Sequence, residues 1–184
     1  MKKICLFIIC LPILVLGQPN NECYRSSNSE FKDSATQIMF NLVNEYRVSH
    51  NLNELQWCST LQKSCLSHSR YMAYDKHCHK ETNKRNPYYT GPHCWNRTKF
   101  KMCGENVQAG YEFNGVDALP WMKGTIKVKT AKEIANEMFI GWTESPEHNE
   151  NMLDKQWNYF AFDYYGYDAE EKYYDCFLAT QLFR

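Results

Sequence analysis

The chain has no excess of either charge: 21 Lys and Arg stand against 21 Asp and Glu in 184 residues. It also lacks a basic run. That excludes nucleic acid and anionic membrane surfaces as main partners, because both are bound chiefly by clustered, uncompensated cations. No internal repeat and no low-complexity tract is present. Only one long apolar run occurs, at the N-terminus, so the rest of the chain offers no transmembrane span. Nor is there a recognisable nucleophile set beside its base, which removes the usual signature of covalent catalysis.

What is present begins with an export signature. Lys2 and Lys3 precede "ICLFIICLPILVL", and Val15 and Gly17 place small or short residues before a break at Gln18, as in a secretory signal peptide. Residues 1–17 are therefore read as a signal, 18–33 as a polar N-terminal arm, and 34–184 as one domain of ordinary size. Loss of Lys2 and Lys3 tips the charge balance slightly acidic. The expected localisation is secreted and extracellular.

Cysteine usage agrees. Cys5 and Cys10 leave with the signal, and Cys23, Cys58, Cys65, Cys78, Cys94, Cys103 and Cys176 remain in an oxidising compartment, where two or three intrachain disulfides are expected. The number is odd, so at least one thiol stays outside an intrachain bridge. Cys58 and Cys65 cannot pair with each other on one continuous helix, where seven residues span roughly 10 Å. The remaining connectivity is open. "NRT" at 96–98 is the sole N-glycosylation sequon, which places Asn96 on an expected exposed loop.

Periodicity then sets out an α+β domain. Ile38, Met39, Leu42, Val43 and Tyr46 recur at helical spacing after Ser34, and a second helix is predicted from Ser59 to about Asp75 with Leu61, Cys65, Leu66, Ser69, Met72 and Ala73 inward. His50 and His68 fall on expected solvated surfaces. Residues 76–102 read as a long loop, which in a compact domain is usually functional or pinned, and two cysteines can pin it. "CGENVQAGYEF" suits a strand. Residues 130–144 form a further amphipathic helix with Ala131, Ile134, Ala135, Met138 and Phe139 on one face. Residues 157–167 and 173–183, aromatic and joined by an acidic turn, suit an antiparallel hairpin.

"GWTESPEHNENML" at 141–153 breaks one helix and starts another. The residue before proline is pushed out of the α region, so the first helix closes near Glu144. Ser145 stands as N-cap, Pro146 at the first helical position and Glu147 beside the positive helix end, with His148 in the first turn. His148 is then either a surface residue or part of a pocket wall.

The order of "LVNEYRVSHNLNELQW", a cysteine-bearing helix, "HCH" and "GEN" resembles the CAP superfamily, also called SCP/TAPS, and within it the venom allergen-like proteins secreted by parasitic worms such as schistosomes. The resemblance implies an α-β-α sandwich with a central antiparallel sheet. It also implies a cavity carrying two histidines and two glutamates. His79 matches the first histidine, with His77 as alternative; Glu105 is the motif glutamate; Glu144 and His148 would be the second pair. The usual eukaryotic "GHYTQ" phrase is absent, and "SPEHNENML" looks like the variant of bacterial members. Glu144 follows Trp142 by two positions instead of three, so Ser145 can hold that place. Glu105 can equally be a structural group, since a buried carboxylate must be hydrogen-bonded.

The resemblance implies a non-enzymatic protein that binds sterols or fatty acids and acts at a host–parasite boundary, with host proteins as a further class of partner. Trp157, Tyr159 and Tyr164 match a caveolin-binding-like pattern linked to sterols in some members; Phe160, Phe162 and Tyr167 match it too, and core packing explains both sets. Ile38 and Leu42 on one helix and Ile134 and Met138 on another would flank a fatty-acid groove. No cofactor is required on this reading. Two alternatives stand beside it: a metal-dependent hydrolase in which His79 and His148 hold a weakly bound divalent ion such as Zn²⁺, and a protein that engages a host receptor. "HCH" and "HC" invite a zinc reading as well, but in an oxidising compartment their cysteines are claimed by disulfides.

Overall fold

The structure, a computed structural model, describes residues 29–75, 77–111, 113–114, 127–168 and 175–184. Cys23 and the signal-like segment lie outside the described residues. In chain order the elements are α1 (Ser29–Ser49), β1 (Gln56–Trp57), α2 (Ser59–Tyr74), α3 (Cys94–Thr98), β2 (Gly104–Tyr111), β3 (Phe113–Asn114), β4 (Lys127–Val128), α4 (Ala131–Glu144), α5 (Pro146–Leu153), β5 (Tyr159–Asp168) and β6 (Asp175–Phe183).

The hairpin read from the aromatic runs is the centre of the sheet. β5 and β6 pair antiparallel from Phe160 with Phe183 to Asp168 with Asp175, β2 lies antiparallel on the far side of β6, and β1 joins β5. β1 runs parallel to β5 through Gln56 and Tyr159, so the four-stranded sheet is mixed, not wholly antiparallel. Strand alternation divides the hairpin between two cores. Phe160, Phe162, Tyr164, Phe177, Ala179 and Phe183 face α1 and α4, where Ala35, Met39, Val43, Ile134, Met138 and Trp142 complete one core. Ala161 and Leu182 face Leu61 and Cys65 of α2, and Leu178 and Val107 face Tyr71 and Met72. The result is the α-β-α sandwich expected.

α1 begins at Ser29, five residues before the expected Ser34 and inside the stretch read as an arm. Tertiary contacts extend it: Phe31 packs on the core, and Lys32 Nζ lies 2.7 Å from Asp163 Oδ1, a carboxylate 4% exposed. Burial raises Asp163, and the Lys32 cation opposes that shift.

The first-helix phrase now has physical content. Asn44 donates to the Leu55 carbonyl at 3.0 Å and accepts from the Leu55 amide at 2.8 Å, clamping the turn after α1. Buried Arg47 donates to Asn53 O, Met152 O and Asp154 O, so a cation satisfies carbonyls at the end of α5. α4 opens on a capping box between Thr130 and Glu133. α4 closes at Glu144 and α5 opens at Pro146, as the proline predicts, although Ser145 makes no side-chain cap bond.

Candidate functional site

The site begins with the "GEN" triplet at the start of β2, and each letter does something different. Gly104 is buried, and a Cβ there would lie 2.8 Å from Asn151 Oδ1 and 3.0 Å from Trp157 Cζ2, so glycine admits the indole ring. Asn106 is fully buried; its amide donates to His148 O and to Gln181 Oε1, both at 3.0 Å, and its oxygen accepts from Asn151 at 2.9 Å. It thereby docks α5 against the sheet.

Glu105 lies between these two, and its carboxylate is committed. Oε2 is held by Arg97 Nη2. Oε1 is 3.2 Å from His79 Nδ1 and 3.8 Å from His68 Nε2. Arg97 has no exposed side-chain surface, and its Nε lies 3.6 Å from Glu81, a second fully buried carboxylate. Glu81 accepts from the Thr90 and Gly91 amides at 2.8 and 3.2 Å. His68 completes the group, with Nδ1 3.0 Å from Glu81 Oε1 and Nε2 2.9 Å from the Cys78 carbonyl. One guanidinium thus bridges two carboxylates and ties the loop after α2 to the sheet, the pairing a buried charge requires.

His68, expected on a solvated surface, is therefore a core residue with 0% exposure. Its two oxygen neighbours favour the imidazolium, but burial, reinforced by the Arg97 cation, outweighs them and holds His68 below its ordinary value. A signal for this was available: Leu61, Cys65, His68 and Met72 recur at four, three and four along α2. Glu81 and Arg97 were missed altogether. Glu81 carries no local pattern, and Arg97 lies inside the "NRT" triplet, where it reads as part of a sequon.

His79 and His148 meet at the rim, with ring centroids 6.4 Å apart, and His79 keeps a 57% exposed side chain. Burial and the Arg97 cation lower His79; burial and then His79 lower His148. His77, the alternative to His79, is lowered by burial and makes no ring contact with His148 among the described residues. Glu144 is exposed at the end of α4 and forms no ion pair with this cluster among the described residues.

The metal reading can be tested on this donor set. Among the described residues, no group of three or more His, Cys, Asp or Glu is arranged to hold an ion. His79 and His148 supply two nitrogens, and the carboxylate that would be third is neutralised by Arg97. The residues do not fit a three-ligand hydrolytic centre.

The apolar candidates fall in three places. Ile134, Met138 and Tyr164 have 0% exposure, and Ile38 and Leu42 are half-buried against the same core. The proposed groove between α1 and α4 is filled by Ala35, Met39 and Val43 packing on Ile134 and Met138, so it lies closed in this structure. Trp157 is 6% exposed and donates to Asn151 O at 3.0 Å. Tyr159, at the start of β5, is 36% exposed.

Cys94 and Cys103 form a disulfide that closes the end of the long loop. It is the one disulfide among the described residues; the two or three expected were for the whole mature chain, whose Cys23 lies outside them. Cys58 and Cys65 are thiols; Cys65 is buried beneath Ala161, and burial followed by Asp163 raises it well above the ordinary value. Asn96 sits half-buried on α3 instead of an open loop, with the Thr98 hydroxyl bonded to Cys94 O at 2.9 Å.

Residues 40–183 match the family model of the cysteine-rich secretory protein family, CAP. The chain belongs to the CAP family. An extracellular protein of Bacillus anthracis containing an SCP domain is similar at 22% identity and a TM-score of 0.55 over 83% of this chain. This chain spans 40% of that protein's length. An outer surface protein of Borrelia burgdorferi is similar at 17% identity and a TM-score of 0.56, covering 83% of this chain and 92% of its own. These likenesses show the fold. No curated protein matches the chain at a significant level. None of these likenesses is to a worm venom allergen-like protein. Among the described residues, no helix of this CAP domain is long and apolar enough to cross a membrane.

Proposed function

We propose that this CAP protein is exported and non-enzymatic, binds a lipid of the sterol or fatty-acid class, and works at a host–parasite boundary. One observation carries the lipid reading. The motif carboxylate Glu105 is spent on Arg97 and His79, while an open cavity of about 420 Å³ lies beside Trp157, walled by Phe100 and Met102. The polar cluster is thus framework, and the accessible space is partly apolar. Export is supported by the leader-like segment and by family membership; the boundary role rests on the sequence resemblance to worm proteins alone.

Micromolar affinity needs about 8 kcal/mol, and at roughly 25 cal/mol per Å² some 300–400 Å² of buried apolar area supplies the gross term, before the cost of ordering. The test is mass spectrometry of lipids extracted from secreted protein, with retention of radiolabelled cholesterol and palmitate after stripping and reloading. Retention above a control protein, undiminished by His79→Ala and His148→Ala, is expected. Folded protein that retains neither lipid would overturn the reading in favour of receptor binding. Robust ester or peptide hydrolysis abolished by both histidine variants would instead restore the hydrolase.

A further inference from the structure

The cavity beside Trp157 has an unusual rim for a chain of balanced charge. Lys99, Lys101 and Arg184 all line it, together with Phe100, Met102 and Trp157. Among the described residues none of these three cations forms an ion pair with a carboxylate. Asp154, two residues before the lining Gln156, is occupied: its carboxylate accepts from the Gln156 amide at 2.9 Å and from the Gln156 side chain.

The walls are held in place by separate devices. Lys99 adopts φ 63°, a left-handed turn that ends α3 and sends residues 99–102 across the cavity. The Cys94–Cys103 disulfide closes that segment. Arg184 extends β6 by pairing with Tyr159 through both its amide and its carbonyl, at 2.9 and 2.7 Å. Its guanidinium stacks 4.0 Å above the Phe100 ring centroid and 5.5 Å from that of Tyr159. Stacking fixes the plane of the fork and leaves its N–H edge available for an oxyanion.

From this geometry we infer that the cavity binds an anionic amphiphile: a phosphate monoester seated among Lys99, Lys101 and Arg184, with its apolar body on Phe100, Met102 and Trp157. Three cations exceed what a neutral sterol or a single carboxylate would call for, and unpaired cations around an apolar wall are complementary to a dianionic head on an apolar chain. The inference rests on the lipid-binding reading and narrows its ligand class. It also gives the disulfide a role, since the bridge holds two of the cations.

The test titrates the full secreted chain, by calorimetry below the critical micelle concentration, with 1-oleoyl lysophosphatidic acid, with monoolein as the same chain without phosphate, and with inorganic phosphate alone. Lysophosphatidic acid should bind at least tenfold more tightly than either, and its affinity should fall as salt rises. Lys101→Gln and Arg184→Gln should each weaken it about tenfold or more, the scale of one charge-assisted hydrogen bond. Met102→Glu, at a position 55% exposed and therefore tolerant in folding, should abolish it by placing a carboxylate at the rim. Equal binding of lysophosphatidic acid and monoolein, or indifference to all three substitutions, overturns the inference while leaving neutral-lipid binding intact. Inorganic phosphate binding as tightly as lysophosphatidic acid overturns the amphiphile and leaves a simple anion site. Failure of every lipid sinks this inference and the broader reading together.

Discussion

Replacing Arg97 with methionine keeps an unbranched apolar stem and removes the guanidinium with its charge. Arg97 is fully buried between Glu81 and Glu105, whose side chains are 0% and 7% exposed. Burial lowers the guanidinium from its ordinary value, and the Glu81 carboxylate opposes that shift, so the cation is held by its partners. In Arg97→Met both carboxylates would face a low-dielectric interior without a counterion. Stripping one partner from a buried pair costs about 3–5 kcal/mol, against a total stability of about 5–15 kcal/mol for a domain. The loss should appear as a lower midpoint in urea with an unchanged slope. Adding Glu105→Gln to Arg97→Met removes one stranded charge and should recover about 1–2 kcal/mol, the coupling expected of residues in one network. Should Arg97→Met fold too poorly to measure, Glu105→Gln alone, which leaves Arg97 with Glu81, should still cost about 1–3 kcal/mol. A loss below about 1 kcal/mol for Arg97→Met, or no recovery in the double variant, would refute the view that this cluster is framework.

Other outcomes follow from the same geometry. Gly104→Ala should cost about 1–3 kcal/mol through contact with Asn151 and the Trp157 ring, read as a fall in thermal midpoint with a changed near-ultraviolet tryptophan signal. Replacing Cys94 and Cys103 together by serine should cost about 2–3 kcal/mol, the loop-closure value for a separation of nine residues, and intact mass before and after reduction should show that bridge in wild-type protein. His68, His77, His79 and His148 all lie below their ordinary value. The unfolded chain therefore takes up protons first, and stability should be full above about pH 6.5 and fall as pH drops below it; a flat urea midpoint between pH 7.5 and 5.5 would contradict this. Chelation by EDTA should leave the thermal midpoint unmoved, because Glu105 is already bound to Arg97; a fall restored by Zn²⁺ would show a resident ion.

Local chemistry was enough to set out most of the elements. Pro146 ends α4 and opens α5, and the aromatic runs pair as a hairpin, each through residues a few positions apart whose preferences act in any context. The triplet "GEN" marked where the site begins. What its residues do was settled by distant contacts: Glu105 against Arg97, Asn106 against His148 and Gln181, and Gly104 beneath Trp157. The parallel seat of β1 beside β5 and the burial of His68 against Glu81 belong to the same class. So does the meeting of Lys99, Lys101 and Arg184 around one cavity, which no window of the sequence displays. A charge looks solvated until the fold buries it, and two cysteines look equivalent until the fold brings one pair into bonding range. Helix ends and strand alternation are decided within a few residues, whereas the partner of a buried ion is decided by whichever group the packed chain delivers to it.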